Sequence, residues 1–347
     1  MKKRNSKIKL SDIATELGVS IMTVSQVLNP RKSSVRVSEE TAAKVTETAK
    51  RLNYRPNLVA RQLAGKSNNI IGIIIDSQAS VLWQTVLRQI EQSATENGFR
   101  IQIGLVHDSM ESIKKYIDDF AGYGITNIIC MAHSYPEFCE EIPQLFKIFR
   151  NVVFVEEPKN FPKASFVSAD FDFVFQKSIE YLLDLGHRRI VCCSNKNISQ
   201  IHQAAYKKRG FLWDKNFIVD IARLDRYEYV LEFINSVLPL EPDALVVGSD
   251  ESAMWCCRVI KEKGLKIPDD ISILSTSKWA LGDAFEPAIT AIDYDYEKIA
   301  KRAVEIIVEN SKIPENEKLK QYNEFIPAQL IIRESCSPVT IKKGENV

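Results

Sequence analysis

Four side chains, Met22, Ser25, Gln26 and Asn29, recur at i, i+3, i+4 and i+7 and so share one face of a helix. Val24, Val27 and Leu28 fall on the opposite face as an apolar stripe. A helix with one buried stripe and one mixed polar face can be laid in a major groove, where base edges are read. Gln26 carries an amide that can bond adenine through a donor and an acceptor at once, worth about 1–3 kcal/mol of discrimination. Met22, and Ile21 at the edge of the face, cannot hydrogen-bond, but they can pack on thymine methyl groups and so favour A·T pairs by contact. The alternative is that Ile21 and Met22 simply belong to a core.

The elements that must hold this face are short. Ser11 is expected to cap a first helix, with Asp12 in its first turn and Ile13, Ala14 and Leu17 as its stripe. Gly18 breaks that helix and Ser20 can cap the next, which is the helix-turn-helix plan. A third helix fits Ser38 to Leu52, with Glu39 and Glu40 at its positive end and Ala42, Val45, Ala49 and Leu52 at helical spacing. Pro56 and Gly65 then bracket a stretch of about seven residues, too short to be a stable isolated helix in water. Val59, Ala60 and Leu63 nevertheless share a face there, so the segment is expected to fold only when something docks on it.

Charge separates this region from the rest. Residues 1–66 hold 14 lysines and arginines against 5 acidic residues, a net of +9, which leaves the other 281 residues at −8 in a chain of net charge +1. A basic segment on an acidic body points to a polyanion partner for the segment alone. Residues 29–36 add Arg31, Lys32 and Arg36, expected to make extra phosphate contacts or simply to be solvated. No apolar run is long enough to span a membrane, and the basic N-terminus leads into polar sequence, unlike a secretory signal. The seven cysteines show no C-x-x-C and no zinc spacing, so reduced thiols in a cytoplasmic protein are expected, and neither a metal nor a cofactor.

From residue 70 the pattern changes to apolar runs alternating with helical stretches. The runs are "IIGIIID" (70–76), "IQIGLV", "NIICMA" and "VVFVEE", then "RIVCC", "ALVVG" and "ISIL". The helices between them are expected to end near Gly98, Gly122, Phe149, Leu185, Trp213 and Lys263. Such alternation predicts parallel doubly wound sheets, here in two successive sets. Ligands of such sheets bind at the carboxyl ends of the strands.

With these elements in place the chain resembles the LacI/GalR family of bacterial transcription regulators. The resemblance is carried by "LSDIATELGVSIMTVSQVLN", "VSEETAAKVTETAKRLNYRPNLVARQLAG", "LGHRRI", "GLKIPDDISIL" and "PAQLIIRES", and it spans nearly the whole chain. It implies a small all-α helix-turn-helix domain (1–55), a hinge helix and linker (56–69), and an α/β two-lobed effector domain like the periplasmic binding proteins (70–340). By the resemblance, Ser20, Thr23, Ser25 and Asn29 lie near phosphates, and Ile21, Met22 and Gln26 select the operator sequence. Asn57, Ala60, Arg61 and Leu63 match the hinge helix, where paired leucines wedge the central step of a palindromic operator open through the minor groove.

The expected cleft between the lobes departs from the family. The usual Asn-Pro-Phe segment reads "DSQASVLWQ", with Trp83. The family's sugar-gripping arginine lies three residues before a Gly-Phe pair, and "YKKRGF" puts Lys207 there, with Arg209 out of register. Asp250 matches the acidic cleft residue, but "STSKW" puts Lys278 and Trp279 where carboxylates are usual. Lysine does not grip vicinal hydroxyls bidentately as arginine does, so an anionic or stacked ligand suits this set better than a plain hexose. His187 in "GHRRI" reads as structural.

The expected function is therefore that of a dimeric operator-binding regulator, a repressor, answering to a small sugar-like or anionic effector. A regulator whose cleft has lost its ligand, and a solute-binding protein of the periplasmic type, are the alternatives. An enzyme is not expected, since no nucleophile elbow, phosphate-binding glycine loop or metal constellation appears. No heptad repeat in "SCSPVTIKKGENV" supports a tetramerising coiled coil.

Overall fold

The computed structural model describes residues 8–28, 37–55, 69–77, 81–107, 109–132, 141–158, 161, 164–193, 198–219, 224, 226–278 and 281–339. It divides into two compact units, Met1–Asn68 and Asn69–Val347.

The first unit holds α1 (Leu10–Leu17), α2 (Ile21–Leu28) and α3 (Glu39–Arg51). Ile13, Ala14, Val24, Val45 and Ala49 are its buried core. Gly18 ends α1 in the left-handed region (φ +65°), where a side chain would be strained, and lets α2 start after two residues. Ser11 is not the cap. It lies in the first turn, while Asp12 reaches back to accept the Lys9 N–H at 2.8 Å. That bond starts the helix two residues earlier than the serine rule predicts. Ser20 and Ser38 do cap, accepting the N–H of Thr23 at 3.0 Å and of Thr41 at 3.3 Å. An ion pair between Arg51 and Glu16 ties α3 to α1.

The second unit contains two six-stranded sheets. In the first are β1 (Ile70–Asp76), β2 (Arg100–Val106), β3 (Asn127–Cys130), β4 (Asn151–Val155), β5 (Ser165–Ala169) and β11 (Asn323–Ile326), ordered β11-β5-β4-β3-β1-β2 and all parallel. In the second are β6 (Ile190–Cys193), β7 (Ile218–Val219), β8 (Ala244–Val247), β9 (Ser272–Ser275), β10 (Thr290–Asp293) and β12 (Gln329–Ile331), ordered β12-β10-β9-β8-β6-β7. Only β12 runs antiparallel there. The helices are α4 (Val81–Glu96), α5 (Met110–Gly122), α6 (Ile142–Leu145), α7 (Phe171–Asp184), α8 (Ile198–Lys208), α9 (Tyr227–Val237), α10 (Asp250–Glu262) and α11 (Tyr296–Ser311). Because β11 returns to the first sheet and β12 to the second, the chain crosses between lobes three times, near 170, 294 and 327.

Continuous burial of β3, β5, β8 and β9 explains their unbroken apolar or small-residue runs, since a sheet covered on both faces has no solvent side. The expected helix through Trp213 instead stops at Lys208. Gly210 (φ +75°) turns the chain back, and Trp213 donates its indole N–H to His202 Nδ1 at 2.7 Å. "GHRRI" is a structural corner: the Arg188 and Arg189 N–H groups donate to the Asp243 carboxylate at 2.8 and 3.0 Å, and His187 bonds the Ser337 carbonyl.

His202 is fully buried, and burial pushes it from 6.5 down to about 4. The unfolded chain therefore takes up a proton near pH 6.5 that the folded chain refuses until about 4, so stability falls as pH drops through that window. The loss should reach about 3 kcal/mol. His202→Gln, whose amide oxygen can accept the same indole N–H, should flatten this acid slope in chemical unfolding measured between those pH values.

Candidate functional site

In the first unit, Ile21 is 54% and Met22 69% exposed, although both are large and apolar and stand in the first turn of α2. They are not core. Val24 alone on this helix is fully buried, and it fixes the helix's rotation so that the first turn faces outward. Ser20 is exposed, and its hydroxyl pairs with that of Thr23 at 2.9 Å. Thr23, Ser25 and Gln26 are half-buried along the same helix. The arrangement offers an apolar tip, one amide and several hydroxyls on a rigid, capped helix, which is what reading base edges requires. Asn29, Asn57, Ala60, Arg61 and Leu63 lie outside the described residues, as do Arg31, Lys32 and Arg36.

In the second unit, side chains from both lobes converge on the crossover between β10 and α11. Trp83 of α4 meets Tyr296 edge-on at 5.8 Å between ring centres, Tyr296 meets Tyr294 at 5.5 Å, and Tyr294 meets Phe171 at 5.1 Å. This ladder joins α4 to two of the three crossovers. Burial, and the negative field of Glu156 at the end of β4, push both tyrosine hydroxyls well above their ordinary value, while Thr276 and Ser277 at the end of β9 act in the opposite direction. The carboxyl ends of β4 and β9, one from each sheet, therefore face the same point.

Lys278 stands beside this ladder. Its Nζ bonds Asp293 Oδ2 at 2.8 Å and its N–H bonds the Ile292 carbonyl. Burial opposes the charge on Asp293, but Lys278 and the Asp295 N–H outweigh it and hold the carboxyl below its usual value. Asp250 also lies at this end, its N–H on the Ser277 carbonyl, yet it is fully buried. Gly282 sits directly on it: a Cβ there would lie 2.2 Å from Asp250 Oδ2.

Lys207 must be removed from the expected cleft set. It is exposed at the C-terminal end of α8, next to Tyr206, whose hydroxyl bonds the Ile190 N–H and the Arg188 carbonyl at the start of β6. That is the amino end of the strand, opposite the ligand end. The error is one of register: Gly210-Phe211 is a helix stop here, so counting back three residues from it leads to the wrong end of the helix. Trp279 lies outside the described residues.

Tyr294, Tyr296, Phe171 and Glu156 were not among the expected site residues. The two tyrosines form a Tyr-x-Tyr after "TAID", a strand of four residues with polar ends and no periodic signal, and no local pattern marks Phe171 or Glu156. Among the described residues no group of three or more His, Cys, Asp or Glu could hold a metal ion, and no helix is long and apolar enough to cross a membrane.

Comparison with known proteins matches two separate parts of the chain. Residues 9–57 match the model described as bacterial regulatory proteins, lacI family, and residues 179–336 match a periplasmic binding protein-like domain. The catabolite control protein A of Priestia megaterium is 27% identical over 310 residues, 85% of this chain and 91% of that protein. The HTH-type transcriptional repressor PurR of Vibrio campbellii is 27% identical over 325 residues, 89% of this chain and 93% of its own. Among solved structures, the lac repressor dimer bound to operator and the anti-inducer ONPF aligns with a TM-score of 0.79 at 23% identity. It covers 96% of this chain and all of that one. The complex of the transcriptional regulator CelR with cellobiose aligns at 0.66 and 18% identity, covering 94% of this chain and 99% of the other.

Proposed function

The chain belongs to the lacI family of bacterial regulatory proteins and is a DNA-binding transcription regulator, and from that premise we propose how it reads DNA and what it senses. Two copies bind a palindromic operator in the cytoplasm. The first turn of α2 enters the major groove, with Ile21 and Met22 against thymine methyls and Gln26 on an adenine edge. Residues 56–69 act as hinge and linker. The observation that carries this reading is the exposure of two large apolar side chains at the tip of a capped helix in a unit of strongly positive charge. The free edge strand β2, with Ile103 and Leu105 exposed, suits pairing with a second copy.

Selection of a bound site from a pool of random duplexes, followed by gel shift, tests the proposal. A two-fold symmetric, A·T-bearing site is expected. Gln26→Ala should weaken that site by about 5- to 150-fold, the equivalent of about 1–3 kcal/mol, and leave binding to unrelated DNA unchanged. Absence of any preferred site would defeat the reading.

The effector is a small sugar-like or anionic molecule held against the Trp83–Tyr296–Tyr294–Phe171 ladder beside Lys278. Aromatic faces bury the apolar face of a ring while the polar groups orient it. A thermal-shift panel of sugars, sugar phosphates, sugar acids and nucleosides tests it, since a ligand at about 100 times its Kd adds roughly 2.7 kcal/mol. One observation favours the second reading, a cleft without a ligand: Asp250 is covered by Gly282 and Lys278 is already paired with Asp293. Silence across the panel, with operator binding intact, would select that reading.

A further inference from the structure

At the amino ends of β4 and β5, the opposite end of the first sheet from the cleft, lies a cavity of about 470 Å³. That size falls within the range of small-molecule sites, about 300–1,000 Å³. Phe149 and Phe161 supply aromatic surface, and Lys147, Arg150, Lys318 and Lys320 stand around it. Among the described residues no acidic one lines it. This is a dense positive spot on a body that, past residue 66, carries a net charge of −8.

The walls are built rather than loose. Arg150 Nη2 donates to the carbonyls of Ile313 at 3.1 Å and Glu317 at 3.4 Å, so its charge is held in place without a carboxylate partner. Asn310, 2% exposed, grips the Lys320 backbone from both sides, accepting its N–H at 3.2 Å and donating to its carbonyl at 3.1 Å. Lys147 Nζ lies 5.9 Å from the centre of the Phe161 ring. Among the described residues none of the four cations is in an ion pair. Glu309, whose charge Lys320 feels, is already taken by Arg302 and the Tyr322 hydroxyl, each at 2.7 Å.

We propose that this cavity is a second ligand site, for a small anion that carries a planar ring, in chemistry an aromatic or nucleoside phosphate. The ring packs on the phenylalanines and the phosphate meets the four cations, none of which is in an ion pair among the described residues. A concave site of this size suits a small molecule better than the convex backbone of a duplex.

Isothermal titration of the full chain with adenosine 5′-monophosphate, adenosine and inorganic phosphate tests the proposal. The nucleotide should bind, and each half alone should bind at least about tenfold more weakly. Lys147→Ala with Lys318→Ala should weaken the nucleotide about tenfold or more, and Lys147→Glu further still. Lys301→Ala, which removes an exposed charge outside the cavity, should leave it unchanged. No binding of the nucleotide, or binding indifferent to the cavity lysines, overturns the proposal. Loss of duplex DNA affinity in the double variant without any nucleotide binding would also overturn it, and would make the patch a DNA contact.

Discussion

Replacing Ile13 with alanine should abolish operator binding while leaving the thermal transition of the larger unit where it is. Ile13 is one of five buried residues that make up the core of the first unit. Truncating a buried isoleucine costs about 2–5 kcal/mol. A helical unit of fewer than 70 residues has a core that rarely supplies more than about 3–5 kcal/mol in total. The variant's first unit should therefore be largely unfolded at room temperature, and α2 with its reading face should go with it. Calorimetry should show the large transition at its wild-type temperature, and a gel shift should show no specific complex. A specific complex at wild-type affinity would mean that DNA alone can order α2, and the small core would not be what presents the face.

A second large effect is expected at Gly282. Any Cβ there would lie 2.2 Å from the Asp250 carboxylate, so the turn at 281–284 must move or Asp250 must leave its place. The turn is bonded to its surroundings, with the Ile289 N–H donating to the Gly282 carbonyl at 3.0 Å, and Asp250 is fully buried. Overpacking of this kind costs about 1–3 kcal/mol. Gly282→Ala should lower the melting temperature of the larger unit on the order of 3–10 °C. Asp250→Ser in the same chain should restore much of it, because the shorter side chain vacates the space. A coupling energy above about 1 kcal/mol in the double-mutant cycle is the expected signature. Additive effects would mean that the turn does not close over Asp250, and the carboxylate would then be open to a ligand.

The first unit was largely legible from its residues. Its helices are set by neighbours three and four positions away, its turn by Gly18, and two of its caps by Ser20 and Ser38. Even there the start of α1 was misplaced, because a carboxylate at its third position competed with the serine. In the second unit the strands inside continuous apolar runs were readable, even at four residues, and the short ones interrupted by polar residues were not. "SFVSA", "TAID" and "NEFI" are four or five residues each and contain polar positions, so they lack a periodic signal of their own.

By itself the sequence determined that a basic helix-turn-helix unit precedes two lobes of parallel sheet, since charge, caps and apolar runs are properties of adjacent residues. Only the tertiary structure decided what meets where β4 and β9 end. Trp83, Glu156, Phe171, Thr276, Lys278, Tyr294 and Tyr296 come from five separate stretches and meet because the chain crosses between lobes more than once. It also removed Lys207, by ending α8 one turn before the sequence pattern would, and it closed Asp250 under Gly282. Local pattern cannot encode such encounters. They depend on where helices stop and on which strand follows which in a sheet, and both are settled by packing between residues far apart in the chain.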